Sequence, residues 1–105
     1  RGDRRMSARR LALVLLGSLT LGACASSSAF RAGESAERRQ DYDAAVLEYS
    51  RAVKQDPDNA NYKRGLSRAR LRASEAHANA ARRFAGRGQY KEALEEYRDR
   101  MELKS

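Results

Sequence analysis

The residues able to do chemistry are few, and each stands alone. The chain holds one cysteine, Cys24, and one histidine, His77, and has no tryptophan. One thiol cannot close an internal disulfide, and one imidazole without neighbouring cysteines does not make a structural zinc set. No metal and no cofactor is therefore expected. His77 reads as a surface or half-buried helix residue, not as a ligand or base. Glu92, Glu95, Glu96 and Asp99 alternate with Lys91, Arg98 and Arg100. That spacing gives solvated i, i+3 and i+4 pairs, with no opposing carboxylate to complete an acid–base couple. No serine sits in a nucleophile elbow or directly beside His77, and there is no glycine-rich phosphate loop. The chain is expected not to be an enzyme and to take no small-molecule substrate.

The arginines are the other candidate chemistry. With 22 Lys+Arg against 14 Asp+Glu, the net charge is +8 and the sequence pI about 10.2. Five of the basic residues precede Cys24, where Asp3 is the one acid; from Ala25 onward 17 bases face 13 acids, a net of +4. Arg64, Arg68 and Arg72 recur every four residues on the helix face opposite Leu66 and Ala73, with Arg70, Arg82, Arg83 and Arg87 further along. A solvated helix back accounts for them; contact with an anionic surface is the functional alternative. An exported chain would meet no nucleic acid, so none is expected as a partner.

What would position these residues is a set of helices. Tyr42, Ala45, Val46, Tyr49, Ala52 and Val53 fall at i, i+3, i+4, i+7, i+10 and i+11, one apolar stripe. The segment Tyr42-Asp43-Ala44-Ala45-Val46-Leu47-Glu48-Tyr49 returns as Tyr90-Lys91-Glu92-Ala93-Leu94-Glu95-Glu96-Tyr97, with Val53 answered by Met101 and Gly33 by Ala81. Phe30, Gly33 and Ala36 begin an earlier helix, and Gln40-Asp41 makes the tight turn after it. Asp56-Pro57-Asp58-Asn59 breaks the pattern, with Asp58 or Asn59 available to cap the next helix. From Ala60 a pattern through Tyr62, Leu66, Ala69, Ala73, Ala76, Ala80 and Phe84 predicts one helix of about 26 residues, nearly 40 Å at 1.5 Å per residue. Gly86-Arg87-Gly88 ends it, and a last helix is predicted from about Gln89 to Leu103. The fold class is all-α.

The front of the chain reads differently. Met6 is the expected start, with Arg1 to Arg5 as upstream residues. Arg9 and Arg10 precede a run of 12 uncharged residues, Leu11 to Gly22, which is shorter than the roughly 20 needed to span a bilayer. A charged start, an apolar run and small closing residues are the pattern of a signal peptide. Leu21-Gly22-Ala23-Cys24 resembles the bacterial lipobox, an alternative being an ordinary signal peptide with Cys24 there by chance. The lipobox resemblance implies lipid on the Cys24 thiol, and Ala25 after it implies a periplasm-facing anchor at the bacterial outer membrane. Two or three acyl chains hold a small domain firmly.

The helices resemble the tetratricopeptide repeat, a 34-residue helix–turn–helix unit. The match rests on Gly33, Tyr42, Ala45, Tyr49, Ala52 and Pro57 in one unit and on Tyr90, Ala93 and Tyr97 in the next. It departs in Ala29, where an aromatic is expected, in the 48-residue offset between units, and in Arg100 in place of the second alanine. The resulting layout is residues 1–23 as upstream residues and leader, 24–28 as lipidated cysteine and flexible tether, and 29–105 as repeat region with an elongated middle helix. An array of this kind wants three or more units, so a C-terminal remainder is expected beyond Ser105. In that family the first helices line a partner-binding groove, which implies Phe30, Glu34, Glu37 and Arg38, with Arg82 from the second unit. Together the two resemblances imply a protein–protein interaction scaffold. It would be a pilotin-type lipoprotein or the amino-terminal segment of a secretin, with partners in type II secretion or type IV pilus assembly. The alternatives are a lipoprotein for outer-membrane-protein assembly or cell-wall maintenance, or the accessory segment of a sensory or enzymatic lipoprotein.

Overall fold

The computed structural model describes residues 24–104, and all of its regular structure is helical. Four helices succeed one another: α1 over 24–38, α2 Tyr42–Gln55, α3 Ala60–Gly86 and α4 Tyr90–Lys104. No strand occurs among the described residues. The leader and the Leu21 to Ala23 part of the lipobox pattern lie outside the described residues.

Each boundary has a local cause. At the end of α1, Gln40 turns left-handed with φ 60, and Asp41 N–H reaches back to the Ala36 carbonyl at 2.9 Å. Asp41 then caps α2, its carboxylate accepting from Ala44 N–H at 3.2 Å. Asp43 in the first turn and Lys54 in the last complement the helix dipole. Pro57 comes just after the end of α2, and Asn59 caps α3 by accepting from Tyr62 N–H. Gly88, at φ 77, supplies the left-handed residue that closes α3, with Gln89 N–H donating to the Phe84 carbonyl at 2.9 Å. The expected turns and the 27-residue middle helix are thus present. Residues 25–28 differ from expectation. In place of a flexible tether they form the first turns of α1, and Ser26 is buried. Contact with the rest of the fold orders them, which serine's neutral helix propensity does not forbid.

The core is built from small residues around one large one. Ala29, Ala36, Ala45, Ala52, Ala69, Ala73, Ala78, Ala81 and Ala93 are buried, and Tyr49 is the large side chain that is fully buried. Its ring lies between two glycines of other helices. A Cβ on Gly33 of α1 would stand 2.6 Å from Tyr49 Cδ1, and one on Gly65 of α3 would stand 3.1 Å from Cε1. Phe30 stacks on Tyr62 at 4.8 Å between centroids and tilts against Tyr49 at 5.4 Å. The first half of α3 therefore packs on α1 and α2. Its second half carries α4, where Ala93 is buried and Tyr90, Leu94 and Met101 are exposed.

The contrast between glycines is testable by thermal or urea unfolding. Gly33→Ala drives a methyl into a ring that cannot retreat, and the expected loss is about 1–3 kcal/mol. Gly86→Ala meets nothing within 4 Å and is expected to gain up to about 1 kcal/mol from helix propensity. Stabilisation by Gly33→Ala would show that the ring has room to move.

Candidate functional site

Two clusters of polar side chains join helices that are distant in sequence. The first tops the Tyr49 core. Arg68 of α3 grips Glu37 of α1 in a two-pronged contact, Nη2 to Oε1 at 2.8 Å and Nε to Oε2 at 3.1 Å. Arg68 Nη2 also donates to the Tyr49 hydroxyl at 3.5 Å. The hydrogen bond from Arg68 holds the Glu37 carboxyl below its ordinary range, against the opposing effect of burial. Glu37 raises the Arg68 guanidinium in turn. Burial, together with the facing Glu37, pushes the Tyr49 phenol up to about 12.

The second cluster sits where three helices meet. His77, in the second half of α3, turns Nδ1 to Glu96 Oε2 of α4 at 2.5 Å. Its Nε2 faces both oxygens of Asp43, in the first turn of α2, at 2.9 and 3.1 Å. Burial disfavours the charged ring, but hydrogen bonds to Glu96 and Asp43 outweigh it and raise its pKa above the ordinary value. Asp99, one turn beyond Glu96, brings a third carboxylate to the same place, with ligand atoms of His77, Glu96 and Asp99 all within 4.8 Å of one another. Open hollows flank the ring, one lined by Asp43, Asp99 and Leu103 and the other by Tyr42, Ala73 and Ala80.

Of the residues implied for a partner groove, Phe30, Glu34, Glu37 and Arg38 share one face of α1, and Arg82 stands on α3. Phe30 is half-buried among Tyr49 and Tyr62, and Glu37 is engaged by Arg68. Glu34 is half-buried and Arg38 exposed on α1, while Arg82 on α3 bonds to Asn79 on its own helix. Of the other arginines, Arg64 bonds to Asn61 and Arg100 reaches Ser74 Oγ at 3.3 Å. Cys24 is exposed with a free thiol. Gly33, Ala45, Tyr49 and Ala52 meet in the core with Ala93 buried further along, whereas Tyr90 and Tyr97 are exposed. The His77 cluster is invisible in the sequence because Asp43 and Glu96 lie 34 and 19 residues from it. The one sequence signal is the i, i+3 placement of Glu96 and Asp99.

Among the described residues no helix is long and apolar enough to cross a membrane. Among the described residues the fold is a small all-helical one with several exposed helix faces. Residues 17–98 match the family model of the plant-specific mitochondrial import receptor subunit TOM20, and the chain belongs to that family. No curated protein and no solved structure gives a significant match.

This membership corrects the reading of the sequence. The chain is not a bacterial lipoprotein of the secretin or pilotin type, and its partners are not secretion or pilus proteins of a bacterial envelope. Placement at a bacterial outer membrane falls with that identification. The lipobox reading rests on four residues, and the family match takes in those four together with the helices behind them. A stripe of small and aromatic residues reports which face is buried, and it does so equally in any compartment.

The Glu37–Arg68 pair gives a pH signature. A carboxylate whose folded-state pKa is depressed contributes stability above its unfolded value, here 4.5, and loses it as pH falls through the folded value. Glu37→Gln is expected to be less stable than the parent by a constant margin at neutral pH. That margin should shrink as pH drops below about 4.5. Urea titrations across the acid range measure it; a margin independent of pH would remove the ion pair from the account.

Proposed function

We propose that the chain acts as a receptor module that holds segments of proteins destined for mitochondrial import, by binding and without catalysis. The observation that carries this reading is the family match across residues 17–98. The exposed face of α4 supports a binding site on that helix. Tyr90, Leu94, Tyr97 and Met101 stand at i, i+4, i+7 and i+11 and are 72, 53, 40 and 70% exposed. An apolar line of this length on one helix suits an apolar or amphipathic segment laid along it. The face is ordered before the partner arrives, so little entropy is lost in binding.

The helices pair, in this reading, as tetratricopeptide-type hairpins. Gly33 and Tyr49 supply the small and large partners of the first hairpin, and α4 with the end of α3 supplies a second. Residues 29–104 form the helical body, α1 extending it forward to Cys24.

The test is a binding titration of the chain with fluorescently labelled segments from mitochondrial preproteins. Leu94→Asp with Tyr97→Asp is expected to weaken binding at least about tenfold, a loss of about 1.4 kcal/mol or more, with helical content retained. Leu71→Asp, on an exposed site of α3, is expected to leave binding as it is. Undiminished binding by the α4 double variant would move the site elsewhere, and no binding by the parent chain would end the receptor reading.

A further inference from the structure

We propose that His77, Glu96 and Asp99 form a site for a divalent cation of the zinc type, with Asp43 as the positioning residue behind the histidine. The three ligand atoms lie within 4.8 Å of one another, one on α3 and two on α4. Glu96 and Asp99 are three residues apart, so both carboxylates leave the same face of α4. A cation about 2.0–2.2 Å from nitrogen and oxygen donors holds those donors roughly 3–4 Å apart. The cluster reaches this by two small movements. The exposed Asp99 side chain swings inward, and the 2.5 Å approach of Nδ1 to Glu96 opens as the cation enters between them.

Asp43 gives the site its direction. Its carboxylate faces Nε2 at 2.9 and 3.1 Å. A neutral imidazole with its proton held there has its lone pair on Nδ1, the nitrogen that faces Glu96. This carboxylate–histidine–metal arrangement fixes the tautomer and orients the ring in metal sites generally. The donor set selects the cation. Imidazole with two carboxylates suits zinc and its neighbours cobalt and nickel, whereas calcium and magnesium are held by oxygen alone. Two carboxylates neutralise the charge of a divalent ion. The hollow beside Asp99 and His77 leaves room for water in a fourth position.

The site is independent of the receptor reading, although the two meet on α4. A cation held by Glu96 and Asp99 ties that helix to α3, and the apolar line from Tyr90 to Met101 is carried by the same helix.

Cobalt(II) serves as the probe, because its visible absorption reports coordination number and ligand type. The full chain carrying Cys24→Ser, which removes the competing thiol, is expected to bind one equivalent, with the band displaced by zinc. His77→Ala abolishes the band. Asp43→Asn weakens binding roughly 10–100-fold but keeps the shape of the spectrum, as an orienting partner should. If His77→Ala loses helicity, Glu96→Gln with Asp99→Asn decides the matter, since both side chains are partly or fully exposed. No cobalt band at millimolar metal, or an unchanged band in the carboxylate double variant, overturns the proposal.

Discussion

The close approach of α1 and α3 to the ring of Tyr49 on α2 is the constraint on which the first half of the molecule depends. An aromatic ring of this size normally holds helices apart. Here α1 and α3 come up to its two sides because each offers a glycine, Gly33 and Gly65, with no side chain in the way. The alanines Ala36, Ala45 and Ala69 then close on one another around it. Such a core has little apolar volume per residue, so its stability leans on tight contact more than on bulk burial. The phenol at the edge of the ring is a polar group that burial would penalise, and Arg68 with Glu37 satisfies it. The ion pair across α1 and α3 and the ring between them form a single unit.

The long α3 divides the labour. Its first half is covered by α1 and α2 and its second by α4, and His77 stands in the second half, where the start of α2 meets the middle of α4. Tyr49 locks one half through shape. In the other half the packing is thinner, since α4 buries Ala93 and leaves most of its larger apolar side chains in water. Alanine faces allow helices to approach but do not fix how far one slides along the other. Contacts with direction do that: His77 to Glu96 and Arg100 to Ser74 set the position of α4 on α3.

Much of this is legible in the sequence, for a physical reason. Stripes at three- and four-residue spacing must be buried, and Asp41, Pro57, Asn59 and Gly88 act through their own backbones within a residue or two. Both kinds of signal are local. The repeat positions Gly33 and Tyr49 can be picked out by self-comparison, though not the fact that one lies against the other. What stays hidden is what folding brings from afar. Arg68 reads as part of a solvated back, yet 31 residues away Glu37 meets it across the Tyr49 ring. A lone histidine among interleaved charges gives no reason to expect a metal, because its carboxylates stand on other helices. Compartment and partner are the least legible. Burial patterns are blind to both, and the four residues Leu21 to Cys24 are too few to outweigh a match running through residues 17–98.

The His77 junction adds a consequence that shape alone would not give. An imidazole between two carboxylates is favoured as a cation, because each ring nitrogen then donates to an acceptor. Proton and divalent cation compete for the same nitrogen, one bridging by hydrogen bonds and the other by coordination. Either occupant offsets part of the negative charge gathered there and favours the contact of α4 with α3. With neither, Asp43, Glu96 and Asp99 face one another around a neutral ring, and like charges at short range push their helices apart. The face that α4 shows to solvent is therefore tied to what occupies the junction.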